Sequence, residues 1–191
     1  MNKFLIITQA LFLSSQIAFS QETAKGEIVI KKARYEYGGY GAPVGKITRI
    51  NNSDGVIAGA KAAWLIDHSI GLGGAAYGLV NNVTFANFKD PLEFVYGGPS
   101  FEYIYQVDDK VSFTGGALLG AGLYDFNDNI AGNDGVYVAE PEISALYEIT
   151  KNFKGALTFG YRFVTDVDLT TVSNSKLSGF SYGVSFNLGI F

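Results

Sequence analysis

The chain contains no cysteine, four prolines, one histidine and one methionine. Without cysteine there is no disulfide framework, no zinc-thiolate site, no cysteine nucleophile and no lipid-modified N-terminal cysteine. Charge is also scarce, at 17% of residues, and the net charge is −4. No basic run is present, so the chain lacks the electropositive face that nucleic acid requires. Beyond the N-terminus no stretch approaches the roughly 18 uninterrupted apolar residues of a membrane-spanning helix.

What the chain does have is glycine, 24 residues of it, and an aromatic content of 15% dominated by Tyr and Phe. Such aromatics favour strands. A length of 191 residues suits one domain.

Residues 1–20, MNKFLIITQALFLSSQIAFS, have a secretory signal pattern. Lys3 supplies the positive start, an apolar run follows, and Ala18 and Ser20 are small residues before a cut at Gln21. Gln9 and Gln16 interrupt the run. We therefore expect a cleaved signal peptide over 1–20, a short lead over 21–34 and one domain over 35–191.

That domain divides into segments separated by turn-rich breaks. Strands are expected near 36–50, 55–66, 69–81, 91–105, 110–124, 135–149, 152–165 and 177–191. No segment has a helical period. The seventh alternates Leu157, Phe159, Tyr161 and Phe163 against Ala156, Thr158, Gly160 and Arg162. The eighth alternates Phe180, Tyr182, Val184, Phe186 and Leu188 against Gly179, Ser181, Gly183, Ser185 and Asn187. The sixth sets Glu140, Glu142, Ser144 and Glu148 against Ala139, Ile143, Ala145, Tyr147 and Ile149. Side chains alternate faces along a strand, so each segment has one apolar and one polar face. The third is ambiguous, because Tyr77 and Leu79 are out of phase with Ile70 and Leu72, and a bulge would account for it.

A soluble lipocalin-like barrel would alternate in the same way with its apolar face inward. Two features favour the opposite arrangement. The polar face is poor in charge and rich in Gly, Ser and Thr, which suits a narrow filled interior better than a water-facing surface. The segments are also long enough to cross a bilayer when tilted. Closure then leaves no unpaired edge in lipid.

Breaks at 67–69, 107–109 and 150–152 are tight, while those at 81–91, 124–135 and 165–177 are long. Short turns at one end and longer loops at the other are expected of an outer-membrane barrel. Trp64, Tyr103, Tyr105, Tyr147 and Phe153 lie near the tight turns, where an interfacial girdle would be. The expected fold class is therefore all-β: a closed antiparallel up-and-down transmembrane barrel of about eight strands, in the outer membrane.

The final segment, SYGVSFNLGIF, resembles the C-terminal insertion signal of outer-membrane barrels at Ser181, Gly183, Phe186, Leu188 and Phe191, with Phe191 out of phase. The resemblance implies recognition by the barrel-insertion machinery. GGYGAPVGKITRIN at 38–51, WLIDHSIGLGGAAYGLVN at 64–81 and VYVAEPEISALYEITKNFKGALTFGYRFV at 136–164 resemble a small, largely uncharacterised outer-membrane β-barrel family of Bacteroidetes-type bacteria. That resemblance implies fold and location, and brings no activity and no catalytic residues.

Lys46, Lys61, Glu102, Glu140, Glu142, Glu148 and Arg162 fall on the parity assigned to the lumen. Charges in a narrow interior must be paired or hydrated. A salt-bridged plug is the expected role, and a narrow ion or proton path the functional alternative. His68 stands alone in a turn with no nucleophile or orienting carboxylate fixed beside it by sequence, so no nucleophilic site is expected. Asp125, Asn127 and Asn129 resemble the start of an EF-hand loop, but Ile130 and Val136 replace its Gly and bidentate Glu. A solvated loop is the plainer reading of 125–135. The glycines of GLGGAAYG at 71–78 precede no helix and are read as barrel glycines, not a phosphate cradle.

No cofactor, metal or catalytic residue is therefore expected. The partners expected are outer-membrane lipid, the insertion machinery and an unknown surface ligand, for a monomer with no nucleic acid. The leading role is structural, or surface interaction through the long loops. The alternatives are a narrow channel, a lipid-modifying enzyme, and a soluble periplasmic barrel that binds an apolar ligand.

Overall fold

The computed structural model describes residues 36–51, 53–84, 91–125, 134–165 and 174–191. The expected signal peptide, the 21–34 lead and most of the 125–135 stretch lie outside them. The strands are β1 (Tyr37–Ile50), β2 (Ser53–Ile66), β3 (Ile70–Leu79), β4 (Glu93–Gln106), β5 (Val111–Asp125), β6 (Asp134–Thr150), β7 (Phe153–Thr165) and β8 (Gly179–Ile190). One helical turn, α1 (Asn174–Leu177), precedes β8. The eight strands pair antiparallel with their sequence neighbours, and β1 pairs with β8 to close the barrel.

The tight turns follow local chemistry. Asp67 and His68 both have φ of 52°, and the Ser69 N–H donates to the Ile66 carbonyl at 3.2 Å. Positive φ at both central positions makes this the primed hairpin turn that matches strand twist. Between β4 and β5 one Asp108 carboxylate oxygen accepts the Lys110 and Val111 N–H groups, each at 2.7 Å. These bonds hold the Asp108 carboxyl below the usual aspartate range. At the third turn, Asn152 and Gly189 exchange hydrogen bonds of 2.8 and 3.0 Å that fix the end of β8.

Leu157 is 68% exposed, and Phe159 and Phe163 also point outward. The apolar face is therefore outside, opposite to a barrel that binds an apolar ligand within. Trp64, Tyr103, Tyr105 and Tyr147 point outward near the tight turns.

No bulge is needed in β3. Its register with β2 and β4 is continuous from Ile70 to Gly78. Ile70 and Leu72 face out while Tyr77 is buried inside and Leu79 packs against the buried core. The phase change reflects a change in the interior. Toward the tight turns the lumen carries Ser112, Thr114, Ser144, Ser185 and Asn187. Toward the long connections it is an apolar core containing Ile50, Ile57, Phe94, Tyr124, Val136, Val138 and Val164. The expectation of a small-polar lumen throughout is thus corrected for that end. Val83 and Leu92 from the β3–β4 connection and Leu177 from α1 complete the apolar seal.

Candidate functional site

The middle of the lumen holds charge. Lys46, Lys61, Glu102, Glu140, Glu142, Glu148 and Arg162 all face inward, and Lys154 joins them. Among the described residues the interior thus carries four basic and four acidic side chains, an overall neutral set. Lys154 was missed from sequence, although it shares parity with Ala156, Thr158, Gly160 and Arg162, which marks it as inward.

The charges form three groups and one separate cation. Lys46 Nζ lies 3.1 Å from Glu140 and also pairs with Glu142. Glu140, fully buried, accepts further hydrogen bonds from the Tyr96 hydroxyl at 2.8 Å and the Ser181 hydroxyl at 2.9 Å. Lys46 also sits 3.9 Å from the Tyr77 ring centroid. Lys61 reaches Glu102 at 3.7 Å, and the Tyr40 hydroxyl donates to Glu102 at 2.6 Å. Nearer the tight turns Lys154 pairs with Glu148 at 3.6 Å and lies over the Phe191 ring. Arg162, also fully buried, donates to the Leu177 carbonyl at 3.0 Å and to Thr48 at 3.4 Å, and lies over the Phe94 and Tyr96 rings. A buried carboxylate with a cation and two hydroxyl donors is the arrangement that makes burying it tolerable.

Glycines make the room. Gly71 stands opposite Glu102, Gly160 opposite Glu142 and Gly183 opposite Lys46. A Cβ on Gly71 would lie 2.6 Å from Glu102 Cγ, and one on Gly183 would lie 3.1 Å from Lys46 Cγ. The glycine excess is thus partly the complement of the interior charges. A lumenal cavity of about 30 Å³ remains beside Lys61, Glu102 and Glu142, roughly the volume of one water molecule.

The C-terminal residues separate by face. Ser181 and Gly183 point inward, whereas Phe186 and Leu188 point outward. Phe191 follows the strand, stacks on Tyr40 with ring centroids 5.7 Å apart, and packs on the cluster of Tyr40, Ala42 and Leu65. Its departure from the outward phase has a physical cause: it covers the short-turn mouth. His68, in its turn, meets a carboxylate that the sequence did not bring beside it, Glu36 at 2.8 Å. The pair is largely exposed, and no nucleophile is bonded to it among the described residues. No three His, Cys, Asp or Glu side chains are grouped to hold a metal among the described residues.

No protein-family model matches this chain, and no curated protein matches it. Solved structures do. The N-terminal β-barrel domain of Pseudomonas aeruginosa OprF aligns with a TM-score of 0.61 at 10% identity, over 80% of this chain and 97% of that one. Neisserial surface protein A aligns at 0.59 and 12% identity, over 82% and 97%. Ail, the attachment invasion locus protein of Yersinia pestis, aligns at 0.53 and 10% identity, over 81% and 98%. At these identities the likeness is one of fold: the chain is a closed eight-stranded antiparallel barrel of the kind these proteins have.

Proposed function

We propose that the chain is an exported, non-enzymatic outer-membrane barrel with a sealed lumen, acting structurally or through surface interactions of its longer connections. One observation carries this reading. Among the described strand residues, the outward-facing charges are Arg49, Asp54, Glu93 and Asp125, and all four lie at the long-connection rim. From there to the tight turns the outer wall is uncharged. In β2 that wall runs from Val56 to Ile66, which spans about 25 Å for a strand at the usual tilt, the height of a barrel's apolar band.

The apolar seal over the charged groups supports a closed barrel rather than a channel. The likeness to Ail, a protein named for attachment and also solved with the heparin analogue sucrose octasulfate, supports a surface role. The Bacteroidetes-type family, the 1–20 signal peptide, recognition of Ser181, Gly183, Phe186, Leu188 and Phe191 by the insertion machinery, and a monomeric state belong to the same proposal.

The test is cell fractionation with gel mobility before and after heating. Recovery in the outer-membrane fraction with a heat-modifiable band is expected, and recovery in the soluble periplasm would overturn the reading. In planar bilayers the wild type should show no large, stable openings. Such openings, altered by Glu140→Ala, would favour the channel. Altered outer-membrane lipids in a deletion strain would favour a lipid-modifying enzyme.

A further inference from the structure

We infer that the seam-facing edge of β1 is built to refuse a strand from a second copy of this chain, with Pro43 and the glycines beside it as the guard. The inference rests on the outer-membrane reading above and adds how the unfinished barrel avoids its neighbours before it closes.

Three of the four prolines stand in mid-strand and point outward: Pro43 in β1, Pro99 in β4 and Pro141 in β6. Proline has no N–H to give a ladder, and is normally kept to edge strands and bulges. The register breaks at each one. Between β1 and β8 it stops at Gly41–Leu188 and resumes at Val44–Ser185. Between β4 and β5 it stops at Gly97–Ala121 and resumes at Ser100–Leu118. Between β6 and β7 it stops at Ala139–Phe163 and resumes at Glu142–Gly160. The three breaks differ in what they face. Pro99 and Pro141 face the other strand of a hairpin closed by a tight turn, so their partner is local. Pro43 faces β8, the last strand of the chain. Its edge stands open until that strand arrives, and an open edge is a template for other chains.

Two further features blunt the same edge. Gly41, Pro43 and Gly45 share the outward parity, and a Cβ at Gly41 or Gly45 would meet nothing within 4 Å. No glycine among the described residues has positive φ. Neither space nor backbone conformation therefore calls for glycine at 41 or 45, and what glycine does there is lower strand propensity. Inward on the same strand is Lys46, whose partners Glu140 and Glu142 come from β6. A foreign strand would cover that charge without them, and an inward charge is another way to protect an edge. β8 has the opposite character. Its outward row of Phe180, Tyr182, Val184, Phe186 and Leu188 is made of good strand formers. Among the described residues the seam also has fewer residue pairs than any other ladder. A reluctant strand thus meets a willing one, and closure within one chain is the pairing that also satisfies Lys46.

The test is folding of the full chain from urea into detergent micelles over a series of chain concentrations. The folded fraction is read by heat-modifiable mobility and the remainder as sedimenting aggregate. The quantity compared is the concentration at which half of the chain folds. Pro43→Ala should lower it about fivefold, the factor that one regained hydrogen bond gives to edge pairing. Pro99→Ala regains the same kind of bond inside a hairpin and should stay within about twofold of wild type. Once folded, neither variant should be less resistant to urea than wild type. An unchanged half-folding concentration in Pro43→Ala would overturn the inference, as would an equal fall in Pro99→Ala. So would a Pro43→Ala chain that fails to fold at the lowest concentration or resists urea less well, because Pro43 would then serve the finished barrel. Failure of wild type to fold in micelles would overturn the outer-membrane reading and this inference with it. Folding of all three chains with equal yields overturns only the inference.

Discussion

The two ends of the lumen are filled by opposite means. Toward the long connections, Phe94, Tyr124, Val136, Val164 and Leu177 form an apolar core. Toward the tight turns, Lys61–Glu102 and Lys154–Glu148 fill the space with ion pairs and hydroxyls, and Phe191 covers the mouth. The apolar end is stabilised by keeping side chains from water, and its strength is distributed over many contacts. The ionic end depends on each charge keeping its partner. An eight-stranded barrel is narrow enough for side chains to fill it either way. The barrel thus uses the general solution where connections cover it and the specific one where strands fix the geometry.

The largest effect should come from the ionic part. Lys46→Met leaves Glu140 and Glu142 without their shared cation, and should cost about 3–5 kcal/mol in urea titrations of the refolded barrel in vesicles. A loss under about 1 kcal/mol would mean that the hydroxyls of Tyr96 and Ser181 suffice for Glu140. In the apolar part, Phe94→Ala should cost about 3 kcal/mol through the void it leaves. Because that cost follows packing, Phe94→Leu should recover most of it. The same exchange test breaks the comparison if the ionic site proves equally forgiving, with Lys46→Arg as stable as wild type.

A smaller effect tests the space around the charges. Gly71→Ala should cost about 1–2 kcal/mol, because the new methyl meets Glu102, which Lys61 and Tyr40 hold in place. Gly45→Ala, where an added Cβ meets nothing within 4 Å, should leave the midpoint unchanged. The smallest effect is at the β4–β5 turn. The Asp108 carboxyl is lowered in the folded state, so its contribution is present above the unfolded aspartate range and is lost as pH falls through the folded value. Wild type should therefore exceed Asp108→Ala in stability near neutrality and converge with it in acid. A constant difference across pH would assign the effect to the turn's shape instead.

Much of this was legible in sequence because strand parity is a local property. The alternation of 156–163 and 180–188 already separates the two faces, and the turns at Asp67-His68 and Asp108-Asp109 announce themselves by residue type. The β3 segment resisted because a single rule, one face apolar and one polar, fails where the lumen itself changes from polar to apolar. Tyr77 and Leu79 are inward and apolar, while outward at the same level stand Gly74, Ala76 and Gly78. The partners of the charges were not legible either. Tyr96 meets Glu140 across 44 residues and Tyr40 meets Glu102 across 62, and only the closed register brings them together. Lys154 was within reach of parity, but Glu36 beside His68 was not, since it comes from the residue before β1.

The pairing of Lys46 has a consequence in time as well as in space. Its partner Glu142 lies 96 residues further along the chain, and the glycine that gives it room, Gly183, is in the last strand. The middle of the barrel cannot be completed by its early strands alone, and contacts so distant are late and costly to close. Until β8 meets β1, Lys46 stands at an open seam. Joining first strand to last therefore buries a charge as well as ending an edge, so a chain that has not finished assembling is penalised twice.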